Sequence, residues 1–143
     1  MAYDNNNIFA KILRGEIPAA RVYEDAATVA FMDVMPQSPG HTLVVPRYPA
    51  ENLFDLDMEA GAAVLRTVQR VARAVKEAFN ADGIMLNQFN GAIAGQSVFH
   101  FHIHIVPRYA NVPVRRHTGD MEDSAVLQEQ ANKIRAVLER IGG

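Results

Sequence analysis

The sequence predicts an α+β fold, a five-stranded antiparallel sheet with two main helices packed against it, and three observations carry that expectation. The runs "ARVYED", "TVAFMDV" and "HTLVVP" are β-branched or aromatic and are separated only by "AA" and the turn-rich "MPQSPG", which is the pattern of an antiparallel meander. Residues 55–79 then switch to a helical period. Two further strand-like runs, "GIMLNQF" (83–89) and "VFHFHIHIV" (98–106), precede a second helical stretch at 124–141. Strands, helix, strands, helix is an α+β order.

Taken in turn, "IFAKILRG" (8–15) has apolar residues at helical spacing, and Gly15 is placed to end a short helix before the extended "EIPAA". In 55–79, Met58, Ala62, Leu65, Val68, Ala72, Val75 and Phe79 recur at three- and four-residue steps. Arg66, Arg70, Arg73, Lys76 and Glu77 take much of the other side, and Asp55 or Asp57 can cap the first turn. Leu127, Ala131, Ile134 and Leu138 form the stripe of the last helix.

A length of 143 residues suits one domain, 1–143, and no repeat or linker divides it. The net charge is −2 and no run of like charge forms a tail, so neither nucleic acid nor an anionic membrane is expected as a partner. Cysteine is absent, which removes disulfides and thiolate metal sites and fits a reducing compartment. The start "MAYDNNNIFAKIL" lacks the features of a signal peptide and no run approaches the ~20 apolar residues of a membrane span. The expectation is a cytoplasmic protein.

The chemistry concentrates in "FHFHIHIVPR" (99–108), where three of the five histidines stand at alternate positions. On a strand, His100, His102 and His104 would share one face at ~6.6–6.8 Å spacing, with Phe101, Ile103 and Ile105 pointing into a core. Three readings are open: a histidine-rich solvent face, a metal site to which His41 comes from another strand, and nucleophilic or acid–base chemistry. Imidazole titrates near ~6.5, so one copy can attack while a neighbour carries a proton for a leaving group. The preceding loop "NGAIAGQS" favours the third reading, because Gly91 and Gly95 permit positive φ and successive N–H groups there can form an anion nest.

"AGQSVFHFHIHIVPR" resembles the signature of the histidine triad family, His-x-His-x-His followed by two apolar residues. "IFAKILRGEIPA", "VYED" and "AFMDVMPQSPGHTLVVP" are similar to that family in order and spacing, so the likeness covers about residues 8–108 and leaves 109–143 as a C-terminal extension.

The resemblance implies a nucleotide-binding hydrolase in which His102 attacks the α-phosphate to form a nucleotidyl-histidine. His104 then assists proton transfer, His100 orients His102 through its carbonyl, and His41 joins the proton network. It further implies Asp33 as acceptor for ribose hydroxyls and Ile8, Phe9, Ile12, Phe31, Val34 and Leu43 as the base pocket. Asn90, Gly95, Gln96 and Ser97 become phosphate-contacting positions.

A short, zinc-free plan is similar to the branch that cleaves purine nucleoside phosphoramidates, usually as a homodimer, with no cofactor. A dinucleoside polyphosphate hydrolase and a nucleotide-binding sensor are the alternatives. Where some members carry cysteines that bind zinc, this chain has Asn7 and Ala10; where a polar residue often precedes the loop, it has Phe89. His117 lies outside the pattern and is read as a surface residue.

Overall fold

The computed structural model describes residues 3–116 and 120–142; His117 lies outside them. The chain opens with α1 (Ile8–Leu13), capped by the Asn7 side chain, which accepts the Ala10 N–H. Three strands follow, β1 (Arg21–Glu24), β2 (Thr28–Met32) and β3 (Thr42–Pro46), then α2 (Met58–Ala78), β4 (Gly83–Asn87), β5 (Ile103–Arg108) and α3 (Ser124–Arg140). Every neighbouring pair of strands is antiparallel, and the sheet order is β1-β2-β3-β5-β4.

The expected meander is present as β1–β2–β3, but strand ends move for physical reasons. β2 stops at Met32 because Asp33 Oδ1 accepts the Met35 N–H at 2.8 Å, folding 33–35 into a side-chain-closed turn. The same connection ends at Gly40, whose φ is +95° and where a Cβ would come within 2.8 Å of the Phe79 ring. Larger side chains are excluded there twice over.

The expected strand at 98–106 begins only at Ile103. Val44 pairs with Ile103, so two residues further Pro46 would face Phe101, and proline has no N–H to extend the ladder. Residue 101 instead donates its N–H to the Ala50 carbonyl at 2.8 Å. Only His104 therefore sits in the sheet; His100 and His102 precede it, and the expected even row of three becomes a cluster arranged by other contacts.

The long helix also differs in detail. Asp57 caps α2, while Asp55 belongs to a separate short turn, Leu53–Asp55, in a capping box with Asn52. Val64, Val68, Val71 and Val75 face the sheet, whereas Met58 and Leu65 of the expected stripe are exposed. The three-and-four spacing had merged two apolar faces of one helix, since at 100° per residue adjacent stripes overlap.

The core divides by sheet face. Met32, Val44 and Ile105 join α2 and the α3 residues Leu127, Ala131, Ile134 and Leu138 in one cluster. On the other face Val29, Phe31, Leu43 and Val45 meet Phe9 and Ile12 of α1 in a smaller one. The histidine face is the second: His104 pairs directly with Leu43, and His41 is two residues from Leu43 along the chain.

Candidate functional site

Four histidines and Asp33 meet at the ends of β2, β3 and β5, and none exceeds 6 % exposure. Burial of so many polar side chains is tolerated only when their hydrogen-bonding groups are satisfied, and the partners fix where each proton lies.

His102 Nδ1 lies 2.6 Å from the His100 carbonyl oxygen. A carbonyl only accepts, so Nδ1 carries the proton and Nε2 keeps its lone pair. The Phe9 ring stands edge-on to His102 at 4.9 Å between centroids, and His104 stands at 4.9 Å on another side.

His100 Nε2 donates to the Pro46 carbonyl at 2.7 Å. Burial holds this imidazole well below its usual 6.5, at about 4, although the Pro46 bond acts in the opposite direction. It is neutral near pH 7, and its Nδ1 accepts from the Tyr3 hydroxyl at 2.5 Å.

His41 Nδ1 accepts the Gln37 backbone N–H at 2.9 Å. A backbone amide always donates, so the His41 proton is on Nε2, which faces His104 Nδ1 at 3.0 Å and Asp33 Oδ2 at 3.3 Å. If the shorter contact is used, His104 Nδ1 accepts and the His104 proton sits on Nε2. The ring of Phe89 lies against His104 at 5.7 Å.

Asp33, His41 and His104 bring one ligand atom each within 4.8 Å of one another, close enough to hold a metal ion. The proton positions do not suit one. Ligation through His41 Nε2 needs a lone pair there, which would put a proton on Nδ1 against the Gln37 N–H. At the start of α1, both ends of the Asn7 amide are engaged, with Tyr3 and the Asp4 carbonyl on one side and Ala10 on the other.

The loop expected to meet a phosphate bonds in part to itself. Gly91 and Gly95 do have positive φ, +96° and +115°, and a Cβ on Gly95 would meet Phe89 at 3.3 Å. The N–H groups of Ala94, Gly95 and Gln96 close onto the Gly91 and Ala92 carbonyls at 3.0–3.1 Å, so these three donors are engaged within the loop's own turn. Gln96 is 3 % exposed: its Oε1 accepts the Gly91 N–H and its Nε2 donates to the Glu51 and Val98 carbonyls. Asn90 accepts the Leu53 N–H and exchanges bonds with Gln88.

Ser97 is exposed and lines a groove of about 460 Å³ with Asp4, Asn7, Ile8, Glu51, Val98 and Phe99. Of the expected base-pocket residues, Phe9, Ile12, Phe31 and Leu43 are buried in the smaller core, while Ile8 and Val34 are exposed. Asp33 turns its Oδ2 toward the two histidines. Sequence reasoning missed Tyr3 and the Gln37 amide; one lies 97 residues from its histidine in an unpatterned segment, and the other acts through its backbone, which no side-chain pattern reports.

This arrangement of buried histidines on an antiparallel sheet is that of a histidine triad protein. Residues 14–111 match the HIT domain, and the chain belongs to that family. It is 44% identical over 104 residues to Protein hit of Bacillus subtilis, covering 73% of this chain and 72% of the relative. It is 35% identical over 127 residues to the adenylylsulfatase HINT3 of Arabidopsis thaliana, covering 85% of this chain and 64% of that protein. A Hit-like protein of Bartonella henselae, described as involved in cell-cycle regulation, superposes with a TM-score of 0.90 at 51% identity, over 95% of this chain and 99% of that one.

Proposed function

We propose that the chain is a nucleotide-binding hydrolase that cleaves purine nucleoside 5'-phosphoramidates, of the adenosine 5'-phosphoramidate type, to the nucleoside monophosphate and an amine. The observation that carries this reading is the 2.6 Å bond from His102 Nδ1 to the His100 carbonyl, which leaves Nε2 as a neutral nucleophile.

In this reading His102 Nε2 attacks the α-phosphorus, a P–N(His) bond forms and the bond to the leaving amine breaks. His104 gives its Nε2 proton to that amine, drawing on His41 behind it. Water then attacks the nucleotidyl-histidine, its proton returns to the imidazole pair, and His102 is released. Ser97 contributes a hydroxyl to the phosphate, with Asn90, Gly95 and Gln96 shaping the loop. Asp33 would reach the ribose by leaving its contact with His41, and Phe9, Ile12, Phe31 and Leu43, with Ile8 and Val34 at the rim, would hold the base.

A second substrate is favoured by one comparison, because the relative HINT3 is named for adenylylsulfate cleavage. The same attack at the α-phosphorus would then expel sulfate, which needs less proton assistance than an amine. The test is a panel of adenosine 5'-phosphoramidate, adenylyl sulfate and a dinucleoside polyphosphate, with His102→Ala alongside. Highest kcat/KM on the phosphoramidate, lost in the variant with AMP binding retained, is expected. Turnover unchanged in His102→Ala would end the nucleophile assignment, and tight AMP binding without turnover of any substrate would make the chain a sensor.

A homodimer formed through α2 and β4 belongs to the same proposal. β4 is an edge strand, and beside it the exposed Leu65 and Leu86 border a groove of about 720 Å³ with Ala62, Ala72 and Ile84; an apolar edge of this kind calls for cover. Leu65→Asp should convert the dimer to monomer in analytical ultracentrifugation; a wild-type monomer would remove the proposal. Among the described residues no helix is long and apolar enough to cross a membrane.

A further inference from the structure

The segment before α1 reaches across to the triad. Tyr3 is partly buried, its ring 5.6 Å from the His100 ring and inclined to it at 69°. Its oxygen receives the Asn7 amide N–H at 2.9 Å and contacts His100 Nδ1 at 2.5 Å.

Every proton in this chain of bonds has one allowed place. Pro46 offers only a carbonyl to His100 Nε2, so Nε2 is protonated and Nδ1 is an acceptor in the neutral ring. Tyr3 must donate to it, and the Tyr3 oxygen is left to accept from Asn7, whose amide end can only donate. The burial that raises the phenol's proton affinity and lowers that of His100 keeps both groups neutral. His100 is thereby held at both ring nitrogens, and its own carbonyl is the group that fixes the proton of His102.

We propose that Tyr3 is a positioning residue of the triad: its hydroxyl clamps the His100 ring against Pro46, and the clamped residue presents its carbonyl to His102 so that the attacking nitrogen keeps its lone pair. The contacts of the Tyr3 hydroxyl are to His100 and Asn7. Its effect passes from the His100 ring to the backbone of the same residue, whose carbonyl makes the bond to His102. The first turn of α1, which follows, places Phe9 edge-on to His102, so the N-terminal segment supports the nucleophile from two sides. The kinetic part of this inference rests on the hydrolase reading; the tautomer part does not.

The test compares wild type with Tyr3→Phe, which removes one oxygen and keeps the ring. Long-range ¹H–¹⁵N spectra of the imidazoles at pH 7 should show His102 as a single Nδ1–H tautomer in wild type. In the variant, an Nε2–H fraction should appear for His102, and the His100 Nδ1 signal should move as its donor is lost. On the best substrate of the panel, kcat should fall about tenfold with KM within about twofold, the loss expected of a displaced reacting group. Thermal unfolding of the same samples reads folding separately.

A His102 spectrum unchanged in Tyr3→Phe overturns the proposal. So does a kcat loss that arrives only with a matching rise in KM and a collapse of the thermal transition, which would make Tyr3 a purely structural contact. If wild type turns over nothing, the hydrolase reading has failed, and the spectra alone decide the role of Tyr3.

Discussion

On the sheet face covered by α2 and α3, Val44 and Ile105 are fully buried within an apolar cluster. On the opposite face His41 and His100 are just as fully buried, yet both nitrogens of each ring have a partner. The first face uses burial for stability, where a buried branched side chain contributes ~1.5–3 kcal/mol. The second uses it for definition: away from water an imidazole nitrogen has no substitute partner, so a single proton arrangement survives. The difference teaches that equal exposure values conceal unequal tasks, and that the hydrogen-bond partners distinguish them.

The widest separation of the two faces comes from a pair of substitutions. His102→Ala should lower turnover by about a thousandfold or more while the urea midpoint stays near that of wild type, as expected when a nucleophile is removed. Ile134→Ala, on α3 and fully buried, should cost about 2–5 kcal/mol in urea unfolding and leave the rate per folded molecule unchanged. A catalytic loss in Ile134→Ala at full folding would blur the division.

Acid should act on the histidine face first. Burial lowers folded His100 from its usual 6.5 to about 4, so between those values the unfolded chain binds the extra proton. Its contribution is fully present above about pH 6.5 and is lost as pH falls toward 4, amounting to about 3 kcal/mol. Urea unfolding at pH 4.5 and 7 should show that loss in wild type and a shallower one in His100→Gln; parallel slopes would assign acid sensitivity to other groups.

The smallest effect expected is at the loop. Gln96→Ala removes three bonds, two within residues 91–98 and one that ties them to Glu51, which should cost about 1–3 kcal/mol. With the loop untied, KM should rise more than kcat falls. A variant with wild-type stability would mean that the loop is held chiefly by its own turn.

Much of this was legible beforehand, for reasons that differ by element. The meander could be read because β-branched runs and a turn-rich spacer are local signals, and the α3 stripe at Leu127, Ala131, Ile134 and Leu138 was buried as expected. The long helix was placed well but its buried face was misjudged, because Leu65 and Val64 are equally apolar and only the position of the sheet separates them. The strand start at Ile103 depends on Pro46, a partner outside its own segment, and the donors of the 91–96 turn close on backbone carbonyls of the same turn, which residue types do not report.

The sequence by itself determined the α+β order, the histidine spacing, the glycines of the loop and the family likeness, since each is written in residue types a few positions apart. Tertiary structure alone decided that His100 leans on Tyr3 and Pro46, that His41 is oriented by a backbone amide, and that Asp33 turns toward two histidines. Those facts concern where protons lie, and a proton's place is set by whichever groups the fold brings within reach, whether 97 residues away like Tyr3 or a backbone amide four residues away like that of Gln37, which no side-chain pattern records.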